Sequence, residues 1–326
     1  MIKRTIILLM AMVPVALWAQ FAPAQDKPGT TAMHADSSAF VAWATGCEAE
    51  PGPMNITNPN AGTAGAGWPA SNVVGPPQGT YGVTCLGDGG MATVTFASPI
   101  CNREGPDFAV FENGFANAQN PDTWALELGF VEVSSDGVHF FRFPAVTHVQ
   151  SDTQLDNGGS INPAQLHNFA SKYGAFYGTP FDLDEVEDNV LLDKNRVTHV
   201  RIVDVVGCIQ PEYATKDSEG HIINDPWPTA FASSGFDLDA VGVIHDIAHD
   251  VTENETETVA VYPNPVRGRL NVKAERLESV EIYNLMGQQV MVSASSIIDM
   301  GDLNQGIYFV RIKADGNTIT KRVVKQ

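Results

Sequence analysis

Residues 125–143 read Ala-Leu-Glu-Leu-Gly-Phe-Val-Glu-Val-Ser-Ser-Asp-Gly-Val-His-Phe-Phe-Arg-Phe. Period-two alternation up to Val133, a turn at Ser134, Ser135, Asp136 and Gly137, and an apolar return over 138–143 predict a β-hairpin. The same pattern recurs on either side. Residues 91–96 place Ala92, Val94 and Phe96 on one face and Thr93 and Thr95 on the other. Residues 107–112, Asp-Phe-Ala-Val-Phe-Glu, are apolar on both faces, as a central strand requires. Further strands are expected at 40–43, at 197–206 with Val200, Ile202 and Asp204 on one face, and at 236–245. Long loops rich in Gly, Pro and Asn fill 47–80, and another spans 207–235. A polar excursion covers 150–195, with a short helix expected around 163–172. The prediction is an all-β, jelly-roll antiparallel β-sandwich with long loops that carry function at one end.

The chain has 326 residues, Lys+Arg 19 against Asp+Glu 38, and a formal charge of −19. At roughly 150 residues per domain this is about two domains. The acid is concentrated: residues 26–258 carry 8 basic and 32 acidic residues, a charge of −24. Residues 259–326 carry nine basic and six acidic residues. Such a surface repels phosphate backbones and excludes nucleic acid as a partner. The charge break predicts a surface domain over 25–248, a linker over 249–258 and a separate C-terminal module over 259–326.

Residues 1–24 read as a secretory signal peptide: Lys3 and Arg4, an apolar run over 5–18, then small residues. Cleavage fits after Ala19 or after Ala24, where Ala22, Pro23 and Ala24 satisfy the small-x-small rule. The run is too short for a spanning helix, and no later stretch reaches 18 apolar residues, so no transmembrane segment is expected in the mature chain. Export into an oxidising compartment predicts one or two disulfides among Cys47, Cys85, Cys101 and Cys208.

Two resemblances sharpen this reading. Residues 130–140 (Phe-Val-Glu-Val-Ser-Ser-Asp-Gly-Val-His-Phe), followed by 198–203 (Thr-His-Val-Arg-Ile-Val), resemble the galactose-binding-like, discoidin-type sandwich. The longer run from 105–114 to 236–242 resembles a family of bacterial cell-surface proteins, which implies a link to nutrient uptake at the outer membrane. The tail quotes Tyr262-Pro-Asn-Pro265, then Ile-Tyr-Asn-Leu-Met-Gly-Gln at 282–288, Gly-Ile-Tyr-Phe-Val-Arg-Ile at 306–312 and Lys-Arg-Val-Val-Lys at 321–325. These resemble the type A sorting domain of the type IX secretion system of Bacteroidetes. That resemblance implies a small β-sandwich, a partner in the type IX machinery, and an address at the outer-membrane surface or outside the cell.

No nucleophile elbow, zinc-protease helix, P-loop or dinucleotide fingerprint occurs. His245 and His249 have i, i+4 spacing but follow a strand. Carboxylates cluster at predicted strand ends, and hard oxygens from several ends are what Ca²⁺ takes. The expected structural Ca²⁺ ligands are drawn from Asp107, Glu112, Asn113, Asp237 and Asp239, with Asp237 and Asp239 on one strand face beside Val241 and Val243. Tyr177, Tyr213 and Trp227 are the expected ligand-stacking aromatics of the long loops. The functional expectation is a non-enzymatic surface binding protein for a glycan, small nutrient or cofactor. Its alternatives are a carboxylate-dependent glycoside hydrolase and an adhesive surface protein.

Overall fold

The computed structural model describes residues 21–249, 259–285, 287–314 and 317–326. Most of the expected leader, up to residue 20, and the linker residues 250–258 lie outside them. The chain divides into two units, residues 1–250 and 251–326. No α-helix occurs among the described residues.

The larger unit is built on two antiparallel sheets. One runs in the order Met33–His34, Tyr177–Phe181, Phe108–Glu112, Asp237–Val243, Ala42–Trp43, with Thr84–Cys85 also paired to Asp237–Val243. The other runs Phe141–Arg142, Gly129–Ser134, Val197–Asp204, Met91–Ile100, Gly46–Glu50. Alternation decides which residues meet between them. Val94, Val131, Val200 and Ile202 from one sheet share a core with Phe108, Val110, Val241 and Val243 from the other. Phe108 and Phe143 both pack on Phe181, which closes one end of that core. Phe108–Glu112 is buried throughout because its outer face is also covered, with Phe40 and Trp43 lying against Phe111.

The predicted strands exist but are shorter where a side chain takes a ladder hydrogen bond. The turn after Ser134 is wider than expected: the Asp136 carboxylate accepts from the backbone of Val138 and His139, both at 2.8 Å. The return strand is therefore only Phe141–Arg142. The strand expected through 125–133 is broken, because Leu128 N–H donates to the Asp225 carboxylate at 2.7 Å. The helix expected around 163–172 is a single 3-10 turn, Pro163–Gln165. It stops because Leu166–His167 extends and pairs with Val146–Thr147.

The smaller unit stacks a three-stranded sheet (Ala260–Tyr262, Arg269–Lys273, Ile297–Asp299) and a four-stranded sheet (Gln289–Ser293, Leu277–Asn284, Gly306–Ala314, Asn317–Lys325) around one core. In Gly306–Ala314 every second side chain from Tyr308 to Ala314 is buried, the pattern of a strand solvated on one face.

All four cysteines are free thiols, against the expected disulfides. Each has its own neighbourhood. Cys47 lies on a sheet edge strand, Cys85 beside Asp237, Cys101 at the end of Met91–Ile100, and Cys208 among Val206 and Trp227. Burial pushes the Cys47 thiol up to about 12 and raises Cys85 and Cys101 as well. Buried thiols of raised pKa are poor nucleophiles. In denaturant, a thiol reagent should therefore count four cysteines per chain, and a reductant should leave the melting temperature unchanged. A count below four would reveal a disulfide.

Candidate functional site

The ends of the two central strands place the acids. Glu112 closes Phe108–Glu112 and sits in register with Leu238. Its Oε2 accepts from Gly114 N–H at 2.8 Å and from the Ser171 hydroxyl at 2.9 Å. A Cβ on Gly114 would lie 2.7 Å from that same oxygen, so only glycine lets the backbone reach the carboxylate. Asp237 opens the partner strand. Its Oδ2 accepts from the Asn113 side-chain amide at 2.9 Å, while its Oδ1 is buried with no partner.

Glu112, Asn113 and Asp237 line one recess of about 230 Å³, joined there by Glu127, Asn157, Thr229 and Ser233. Phe115 and Phe231 stand at it, 67% and 46% exposed, and give the recess apolar faces. No Lys, Arg or His lines it among the described residues. Behind it, Asp225 is buried with Oδ2 on Leu128 N–H and Oδ1 unpartnered.

The electrostatics follow from this one-sided inventory. Burial lifts the Glu112 and Glu127 carboxyls well above the ordinary range, and the negative charge of Asp237 pushes both the same way. Asp225 is raised well above it too, first by burial. Burial also raises Asp237, to about 6, although hydrogen bonds from Cys85 and Asn113 pull it down. Carboxylates packed together without a cation invite protons, a metal ion or a donor-rich ligand.

Of the five expected Ca²⁺ ligands, the structure brings Glu112, Asn113 and Asp237 together and takes Asp107 and Asp239 elsewhere. Asp107 lies at the opposite end of the Phe108–Glu112 strand. Its carboxylate accepts from Arg103 N–H, from Leu183 N–H and from the His245 ring, each at 2.9 Å. A bulge between Leu238 and Ala240 changes the strand's parity, so Val241 and Val243 point into the core with Leu238. Asp239 staples a loop, accepting from Gln78 N–H at 2.8 Å and Gly79 N–H at 2.9 Å. His249 pairs with Asp246, so the two histidines serve different carboxylates.

The aromatic platform is also redrawn. Trp227 is 8% exposed, donates its ring N–H to Asp88 at 3.1 Å, and packs with Tyr213, Val206 and Cys208. Both pin a loop to the body. Tyr177 stands apart, edge-on to His34 at 4.9 Å. Glu127 escapes a sequence reading because it is the polar member of an alternating run, the position expected to face water. Asp225, in Asn224-Asp225-Pro226-Trp227, reads as turn chemistry.

Among the described residues, no three His, Cys, Asp or Glu side chains are gathered closely enough to hold one metal ion. The oxygen chemistry of the recess, with the orphaned Asp237 Oδ1, suits a hard cation, and holding one requires the carboxylates to draw inward.

Residues 260–326 match the family described as a secretion system C-terminal sorting domain. The tail is thus a type IX sorting domain, which indicates export to the cell surface or the extracellular space. The chain matches none of the curated proteins. A solved structure titled "Biofilm associated protein - BSP domain" is similar over 72% of this chain and 48% of that one, at 10% identity and a TM-score of 0.17. The chain spans about half the length of that structure.

The raised carboxyls set a pH dependence. With folded values of about 6 against an ordinary 3.8, Asp237 and Asp239 keep protons that the unfolded chain has released. Stability therefore falls as pH rises from about 4 to 6, by on the order of 3 kcal/mol per group, and stays low above that window. In chelator at pH 7.5, Asp237→Asn should melt several degrees above the parent, and the gap should close near pH 4. A variant no more stable than the parent at pH 7.5 would contradict this.

Proposed function

We propose that this exported protein is a surface binding protein whose acidic recess takes a small hydroxyl-rich ligand of the glycan class and holds a Ca²⁺ ion on the same carboxylates. The observation that supports this reading is the convergence of Glu112, Glu127 and Asp237 on one recess without a basic residue, between the exposed rings of Phe115 and Phe231. Carboxylate oxygens accept from sugar hydroxyls, and aromatic faces cover the apolar side of a sugar ring. A pocket that is mostly apolar with a few converging polar groups is the usual form of a small-molecule site.

Ca²⁺ takes six to eight oxygens, and the side chains of Glu112, Asn113, Glu127 and Asp237 are the ones that would hold it here. The ion would supply the positive charge that these buried groups lack. Hydrolysis is the weaker reading. It needs an acid and a base at a set separation, one of them free to reach the sugar. Glu112 is instead pinned by Gly114 and Ser171 and is 3% exposed.

Added Ca²⁺ should raise the melting temperature of the parent and chelator should reverse the gain. Asp237→Asn should lose most of the response, and an unresponsive parent would remove the ion from the proposal. On a glycan panel, Phe231→Ala should weaken the best ligand by about tenfold, the worth of one aromatic contact. Unchanged binding would move the ligand out of this recess. A chain lacking residues 260–326 should stay inside the outer membrane when cell fractions are blotted.

A further inference from the structure

The residues just after the expected leader are built into the fold. The Phe21 ring lies between two imidazoles, with centroids 5.0 Å from His148 at 25° and 5.0 Å from His167 at 15°. Its backbone N–H donates to Ala164 C=O at 3.1 Å. The Lys172 ammonium, held by the carbonyls of Pro163 and Leu166, sits 6.0 Å from the same ring. Three and four residues on, Ala24 is 5% exposed and Gln25 8%. The Gln25 side-chain oxygen accepts from Gly174 N–H at 2.6 Å, and Ala24 C=O accepts from Lys27 N–H at 3.3 Å.

Two cleavage points fit the sequence, and they have opposite consequences for this seat. A cut after Ala24 fits the small-x-small rule best. It would discard Phe21 and open the Ala24–Lys27 turn. It would also create an α-ammonium on Gln25, a nearly buried residue. An α-amino group is mostly protonated near pH 7, and burying it without a partner is costly. A cut after Ala19 leaves the slot filled and puts no new charge on residues 21–25.

We propose that the leader is cut between Ala19 and Gln20, and that residues 21–25 stay on the mature protein as an N-terminal anchor with Phe21 wedged between His148 and His167. The slot comes from ribbon pairing: His148 follows Val146–Thr147, which pairs with Leu166–His167 and so sets the two rings on either side of one space. The first residues of the mature chain thereby add a second fastening to the 146–172 excursion, at its two-stranded ribbon, beside the bridge from Phe169 to Phe130.

Two measurements test this. Protein recovered from producing cells should give an N-terminal peptide that starts at Gln20, either intact or with the loss of ammonia that follows cyclisation of a terminal glutamine. A start at Gln25, or at any other residue, overturns the cut. In chain 20–326, Phe21→Ala should lower the melting temperature by about 5 °C, as expected for loss of one half-buried aromatic, while Phe21→Tyr should keep it. Chain 25–326 should melt at least as low as Phe21→Ala or fail to fold. Equal melting of the Phe21→Ala chain and the parent overturns the anchor, whatever the N-terminus proves to be.

Discussion

The pairing of Phe108–Glu112 with Asp237–Val243 constrains everything else in the larger unit. Each of these strands is covered on both faces, by the inter-sheet core on one side and by Phe40 and Trp43 on the other. Inside such a pair an acid needs its own hydrogen bonds, as Asp239 has from Gln78 and Gly79, and the other acids sit at its ends. The two ends are finished differently. At the Asp107 end, two backbone amides and an imidazole satisfy the carboxylate. At the other end, Glu112 and Asp237 face Glu127 with no cation among them, and one Asp237 oxygen has no partner. The contrast between a satisfied end and an unsatisfied one marks the second as the candidate site, since buried acids in a structural role normally have their hydrogen bonds filled.

The sequence carries the sandwich because alternation is a local property. Ala92, Val94, Val200 and Ile202 declare their face without knowledge of their partners, and each is buried where the pattern puts it. It fails where one backbone bond is diverted or one residue is inserted. The Leu238/Ala240 bulge reverses parity within a strand whose letters still read as regular, and this separates Asp239 from Asp237. Three of the four side chains assigned to the ion are legible for the same reason: Glu112, Asn113 and Asp237 lie at the ends of strands that a period-two reading finds. Glu127 is not legible, because its inward turn follows from a break at Leu128 made by a carboxylate 97 residues away. Trp227 misleads for the opposite reason. An aromatic in a loop rich in Pro, Asp and Asn looks available for stacking, but the same bulk is what fastens a long loop to the body.

The division of charge has a physical counterpart in the two units. The larger concentrates like charges at one recess, where they raise each other's proton affinity. The smaller keeps its charges on a solvated sheet face, where Glu281 meets Arg311 and Lys313. Exposed pairs of that kind contribute little to stability and are easily given up to a partner. A module of this character suits an address that machinery must read.

The unpaired cysteines have a consequence for the route as well as the fold. Three of the four are buried, and the one on a sheet edge is only partly covered. Such thiols are shielded from oxidants only while the chain is folded, so passage through an oxidising envelope sets a race between collapse and cross-linking. The chain that wins arrives reduced and locked. The chain that loses carries a bridge between residues that the native structure keeps apart, and cannot return to the sandwich without a reductant. Folding rate then decides yield, and the lifetime of the exported protein is a matter of how seldom its core opens.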